Sequence, residues 1–306
     1  MSVAPWRGLL LVCLAGLLWG TIGPAVDVVH DRSPLTPLTI GAYRSVAAIG
    51  ALLAAVLVTR RWGRCVALVR GHGARVLLVG LLTASFQLLF FVAVVQVGVS
   101  ITTVVALGLP PLLLLALGSY ERRSLPARAE VLTVVTAVAG LLLVSLAGDP
   151  AGLRPGAALG LLAAVGSGVA YAFSAHVAAP VSRSSDGLTV TAVTMSVVAL
   201  VLVPGGLALA ALRHEALVTH DGPSWVLVAY LGVVTMAFAY VLLFDGLRTT
   251  PSGSAVVATL LEPVTAVLIA VAFLGERLSL AGLVGSLLIL AAIGSLGRRT
   301  EEPPPQ

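Results

Sequence analysis

The stretch LLEPVTAVLIAVAFLGERLS, residues 260–279, decides how the rest of the chain is read. Glu262 stands directly before Pro263 inside an otherwise apolar run, and Glu276 closes that run in a Gly-Glu-Arg triplet. Inside a buried helix, a charge is costly to desolvate and a proline removes a backbone donor. The segment therefore needs a setting in which both residues have a use.

Composition identifies that setting. The chain has 306 residues, of which 58% are hydrophobic and only 10% charged, with a mean hydropathy of +1.07. A soluble domain is roughly 45–50% apolar and about 25% charged. Apolar stretches of about 20 residues, enough to cross a bilayer as a helix, recur from end to end. The sequence reads as an all-α polytopic membrane protein with spans near 8–28, 36–58, 74–96, 99–118, 126–146, 155–179, 188–212, 224–245, 252–274 and 278–297. The first run is too long for the apolar core of a signal peptide and is read as a helix that stays in the membrane.

Residue types that are missing exclude several classes. The sequence contains neither lysine nor asparagine. A Walker A phosphate loop requires lysine, as does a Schiff base, and N-glycosylation requires asparagine. All 18 basic residues are arginines; their placement follows the membrane, not a nucleic-acid surface. Cys13 and Cys65 form no metal or redox pair, and no cofactor or metal is expected. With the N-terminus on side one, 13 arginines fall on that side and 4 on the other, with Arg44 inside a span. The positive-inside rule makes side one cytoplasmic, so both termini are expected in the cytoplasm.

The two halves resemble each other. GTIGPAVDVVHDRSPLTPLTIGAYRS (20–45) aligns with YAFSAHVAAPVSRSSDGLTVTAVTMS (171–196), VGVSITTVVALGLPP (97–111) with TTPSGSAVVATLLEP (249–263), and YERRSL (120–125) with GERLSL (275–280). The offsets are 151, 152 and 155. An odd number of spans per half makes the second half inverted, a recurrent plan of secondary transporters. The expected organisation is ten transmembrane helices as two inverted five-helix repeats, 1–150 and 151–297, joined within LAGDPAGLRPG (146–156) and followed by a disordered tail, 298–306.

With those residues in view, the chain resembles the EamA-type transporters of the drug/metabolite superfamily. The resemblance is carried by LLWGTIGP (17–24), TIGAYRSVAA (39–48) and LEPVTAVLIAVAFLGERLSLAGLVGSLLILAAI (261–293). It departs at GLPPLLLLALGSYERR, which carries Pro110-Pro111 and is three residues shorter before its Glu-Arg. The resemblance implies movement of a small metabolite or drug across the cell (inner or plasma) membrane, often as export.

Arg44 and Glu262 fall near the middle of spans two and nine. Such charges cost about 2.5–3.5 kcal/mol to insert and face the bundle interior or a cavity. They are the leading transport-path candidates, Arg44 for anionic groups and Glu262 for a cation or proton; the alternative is that they pair with each other, or cap freed backbone groups, and only hold the bundle together. Trp19, Gln87, Tyr171, His176 and Tyr240 are further path candidates, against a plain interhelical hydrogen bond for each. Pro263, with Pro110 and Pro111 at the matching place, predicts symmetric helix breaks and a hinge. Asp27, Gln96 and Asp245 fall near span ends, and Glu276 and Arg277 in a turn. Gly16-x-x-x-Gly20 and Gly156-x-x-x-Gly160 permit close packing within the monomer or in a homodimer. The arginine-rich loop 60–75 is expected to meet anionic lipid headgroups. A secondary carrier of a small organic solute, with or without a coupled proton or other ion, leads over an intramembrane enzyme or a passive channel. Neither a metalloprotease motif nor a filter-like repeat occurs.

Overall fold

The computed structural model describes residues 5–146, 157–273 and 279–301; the expected junction and the Glu276–Arg277 turn lie outside the described residues. The described chain is helical, joined by turns and one isolated parallel bridge, Leu35–Ala216. Its helices are α1 (Pro5–Trp19), α2 (Ile22–Arg32), α3 (Pro37–Val58), α4 (Trp62–Arg122), α5 (Arg128–Leu146), α6 (Ala157–Ser184) and α7 (Gly187–Leu212). They continue with α8 (Gly222–Tyr230), a π-helical segment Leu231–Phe238, α9 (Ala239–Gly246), α10 (Ser252–Thr259), α11 (Leu261–Phe273) and α12 (Leu280–Glu301). Counting the pieces that abut as one, 9 helices among the described residues are long and apolar enough to cross a membrane.

One of them, α4, has 61 residues and at 1.5 Å per residue is far longer than a bilayer is thick. It is two arms. Gly98 leaves the helix at φ 82°, ψ 167°, a conformation that strains any side chain. Both arms flank α6. On the first arm Thr83 bonds Ser174 at 2.8 Å, and Ser167 donates to the Phe86 carbonyl at 3.0 Å. On the second, the Ala106 carbonyl lies against Gly168, and Glu121 against His176. Numbering thus runs against α6 along the first arm and with it along the second, so the chain folds back at Gly98. His72 also breaks helical geometry, and the expected loop 60–75 is helical from Trp62 onward. At the other terminus α12 runs to Glu301, four residues into the expected tail.

The contacts repeat at a nearly constant spacing of 152 to 154 residues. Gly16 rests on the carbonyls of Ala258 and Thr259, and Gly168, 152 residues later, on those of Val105 and Ala106. Gly8 packs on Thr249 and Thr250, and Gly160 on Gln96 and Val97. Arg60 and His214, at φ 53° and 54°, end α3 and α7 with the same left-handed cap. In each, the next residue's N–H returns to a carbonyl five residues back: Arg61 to Val56 at 2.8 Å, Glu215 to Ala210 at 2.9 Å. Side chains at these positions then reach the opposing helix start. Arg61 bonds Asp186, the N-cap of α7, and Glu215 accepts from Thr36, the N-cap of α3, at 2.7 Å. The α3–α7 pair is therefore latched at both ends.

Glycine sets the closest approach elsewhere too. A Cβ built on Gly140 would stand 2.6 Å from the Gly285 carbonyl, and one on Gly285 2.5 Å from the Gly140 carbonyl, so α5 and α12 touch backbone to backbone. Gly16, Gly20 and Gly160 all pack inside the monomer and leave no small-residue surface there for a second copy.

The prolines act unequally, which corrects the expected pair of breaks. Pro263 lies in the first turn of α11, and the helix is interrupted at Leu260, next to the Thr259 carbonyl that the ring cannot bond. Pro110 and Pro111 stay within helical α4. There the carbonyl four residues back, Ala106, faces Gly168, whose missing side chain leaves it room.

Candidate functional site

Two cavities line up through the bundle. The inner one, of about 100 Å³, is bordered by Arg44, Gln87 and Glu262 among aromatic walls from Trp19, Phe86, Phe90, Phe91, Tyr171 and Tyr240. The outer one, of about 640 Å³, opens at the arginine-rich end and is bordered by Pro111, Glu121, His176, Arg183, Ser252 and Val257. Along the chain the two lie four or five residues apart, at Leu107 and Pro111 on α4, at Tyr171 and His176 on α6, and at Val257 and Glu262 across the α10–α11 break. A little more than one helical turn, about 6–7.5 Å at 1.5 Å per residue, thus separates them. That layer contains the 2.8 Å bond between the Tyr171 and Thr259 hydroxyls.

The inner site is built by helices that approach closely. Gly232 brings the π-helical segment against the Arg44 carbonyl, the Ala47 Cβ and the Ala48 backbone nitrogen, so the segment packs directly on α3 beside Arg44. Within that segment the Thr235 carbonyl accepts the Trp19 indole N–H at 2.9 Å. Such π turns occur mostly where function requires an irregular backbone. Trp19 meets Tyr240 at 5.2 Å between ring centroids, and Tyr171 stacks on Phe86 at 5.0 Å. Gly20 packs on the Glu262 carbonyl and on Thr265, so α11 is located by the joint between α1 and α2.

Arg44 is 8% exposed and Gln87 5%. The Arg44 Nη2 donates to Gln87 Oε1 at 2.5 Å, and the guanidinium lies 5.8 Å from the Phe91 ring centroid. Glu262 borders the same cavity, yet among the described residues Arg44 and Glu262 form no ion pair. The bracing pair weighed from sequence is not what the structure contains. Two opposite charges instead share a small space with aromatic walls.

The end opposite the arginine-rich one is closed. Val29, Leu35, Ile40, Val228 and Leu231 form a buried cluster there. Tyr43 meets Trp225 edge-on at 5.0 Å and donates to the Leu217 carbonyl at 2.7 Å, while Arg32 bonds Asp221 at 3.3 Å. Bonds from the Ser224 hydroxyl, Arg32 and the Ser224 N–H hold the Asp221 carboxyl below its ordinary value. At the arginine-rich end burial pushes the Asp186 carboxyl up. Bonds from the Thr189 N–H and hydroxyl and from Arg61 outweigh this and hold it low.

Of the residues singled out from sequence, Trp19, Arg44, Gln87, Tyr171, Tyr240 and Glu262 meet in the inner cavity. His176 does not. It lies 3.3 Å from Glu121 on the outer cavity, which Pro111 also borders. Asp245 accepts the Gly187 N–H at 2.7 Å, a structural role near the membrane surface. The aromatic walls Phe86, Phe90 and Phe91, together with Thr235 and Met236, were not anticipated. The available signal was FQLLFF (86–91), three of the seven phenylalanines clustered around a glutamine inside a span.

Residues 6–146 and 154–297 each match the EamA-like transporter family. The chain belongs to that family. Within it, this EamA-like chain is 30% identical over 291 residues to a Bacillus subtilis (strain 168) protein described as an uncharacterized transporter, YwfM. That alignment covers 93% of this chain and 91% of the relative. A solved crystal structure shares the fold, with a TM-score of 0.75 at 22% identity, over 96% of this chain and 99% of that one. Family membership and the apolar helices make the EamA-like chain a multi-pass membrane protein and a transporter.

Proposed function

We propose that the protein is a secondary carrier that exports a small organic solute by alternating access, with the inner cavity as its central binding site. In this reading the second arm of α4 counts as a separate crossing. The chain then crosses the membrane ten times as two inverted five-helix repeats, with both termini in the cytoplasm and the outer cavity as the cytoplasmic vestibule. Contact pairs recurring at 152 to 153 residues and the matching caps at Arg60 and His214 support the repeat. So does the double family match. The arginine bias supports the orientation, which suits the plasma membrane of a cell.

The observation that carries the function is the geometry around Arg44 and Glu262. A cavity holding both charges is sealed on one side by a packed cluster and divided from a solute-sized vestibule by a single helical turn. A carrier needs such a layer, because a continuous pore would dissipate the gradient. Arg44 draws anionic groups, and Glu262 is the site for a cationic group or a coupled proton. Pro263 and the break at Leu260 give α10 and α11 a hinge beside Glu262.

Reconstituted protein is expected to show saturable flux that is accelerated by solute on the far side. Arg44→Gln and Glu262→Gln, at equal amounts in the vesicle, should each slow it at least tenfold, and Glu262→Gln should flatten its pH dependence. Unchanged rate and pH profile in both would refute the central-site assignment. Non-saturable flux would indicate a channel, and chemical conversion of the solute an enzyme.

A further inference from the structure

We propose that Arg44 and Gln87 together form a receptor for one planar oxyanion of the carboxylate class carried by the solute. This rests on the carrier reading above and names the group its central site takes. The argument begins with two orphaned donors. A guanidinium has donors only, so the 2.5 Å bond from Arg44 Nη2 can be met only by the amide oxygen of Gln87. That bond fixes the amide orientation and turns the Gln87 NH2 away. Arg44 Nε and Gln87 Nε2 are then both buried without a hydrogen-bond partner.

Buried N–H donors are rarely left unmet, and two on side chains already joined to each other mark a place for an acceptor. The side chains border the same cavity of about 100 Å³. A carboxylate presents two coplanar oxygens and accepts charge-assisted bonds side by side. The space suits such a group with a small body, and the walls of Trp19, Phe86, Phe90 and Phe91 suit an apolar or aromatic one. Gln87 is a positioning residue for Arg44 and a donor in its own right. Glu262 faces the same cavity as a second negative charge and opposes the incoming oxyanion.

The test uses the full chain in detergent with Trp6, Trp62 and Trp225 replaced by phenylalanine, leaving Trp19 as the fluorescent reporter in the cavity wall. Sodium benzoate is titrated against benzylamine hydrochloride and sodium chloride at matched ionic strength. Benzoate should quench Trp19 saturably and chloride should not. Arg44→Gln should abolish the effect, Gln87→Leu should weaken it at least tenfold, and Glu262→Gln should strengthen it. Gln87→Glu keeps the acceptor for Arg44 and removes the Nε2 donor. It should also lose benzoate binding, and it decides the matter if Gln87→Leu does not fold. Quenching by benzoate that equals that by chloride, or that persists unchanged in the folded Gln87 variants, overturns the proposal. So does saturable binding of benzylamine alone. If benzoate fails while vesicles still show saturable, Glu262-dependent counterflow of another solute, the oxyanion receptor falls and the carrier stands.

Discussion

Gly20 offers a way to move Glu262 without touching its side chain. A Cβ at position 20 would stand 2.5 Å from the Glu262 carbonyl oxygen and closer still to Thr265 Cβ. Ordinary contact begins near 3.4 Å, so Gly20→Ala must push α11 away from the α1–α2 joint by at least about 0.9 Å, the shortfall at the Glu262 carbonyl. Both neighbours are backbone or branched at Cβ and cannot swing aside. Overpacking of this kind costs roughly 1–3 kcal/mol. Gly50, in the middle of α3, is the control: a Cβ there meets nothing within 4 Å. Gly50→Ala should be neutral or stabilise by about 0.5–1 kcal/mol, through the reduced entropy of the unfolded chain. Thermal melts in detergent should therefore rank Gly50→Ala at or above the parent and Gly20→Ala several degrees below it. In vesicles Gly20→Ala should also impair flux, because the displaced segment carries Glu262. A Gly20→Ala protein that melts and transports like the parent would show that α11 is not located by this contact.

Three other outcomes are expected. Asp186→Asn should destabilise by about 1–2 kcal/mol through loss of the charge-assisted bonds to Arg61 and Arg64. The folded Asp186 carboxyl is held below its ordinary 3.8, so its contribution is full above that value and is lost as pH falls through the folded one. Acid melts of Asp186→Asn should accordingly lack part of the parent's decline at low pH. With Cys13 and Cys65 replaced, a disulfide between Leu35→Cys and Ala216→Cys, which face each other in the isolated bridge, should halt flux until a reductant is added. Full flux with the bond formed would mean that this end never opens. Gly140→Val should separate α5 from α12 and lower the melting temperature, and the same melt should show a comparable loss for Gly285→Val.

Much of this was legible before any coordinates, for a definite reason. Charge, proline and amide groups are costly at membrane depth, so Arg44, Gln87 and Glu262 stood out against apolar sequence and were found around one cavity. Cost does not mark aromatic and aliphatic side chains, which suit lipid and cavity equally well; Met236 was hidden for that reason, and Phe86, Phe90 and Phe91 were marked only by their clustering around Gln87. His176 carried the same signal as Gln87 but sits one turn further out, a difference that depends on how α6 is rotated and not on its composition. The π-helical turn at Leu231–Phe238, where Gly232 packs on α3, has no local sequence mark. Proline likewise indicates a lost hydrogen bond, but whether the helix then breaks depends on the neighbour. The Ala106 carbonyl has room against Gly168, and α4 continues.

The repeated spacing of contacts has a practical consequence: the molecule contains its own experimental control. Gly16 and Gly168, Gly8 and Gly160, or Arg60 and His214 stand at corresponding places, each glycine in close contact and each cap left-handed. A substitution made at each member of such a pair, in turn, holds the packing constant and varies only which half is perturbed. Effects that agree measure packing common to both halves; effects that differ expose what is particular to one. At two positions the correspondence fails. The position matching Arg44 is the buried Met195, and the one matching Glu262 is Pro110. Exchanging residues across those two pairs asks directly whether the halves can trade duties.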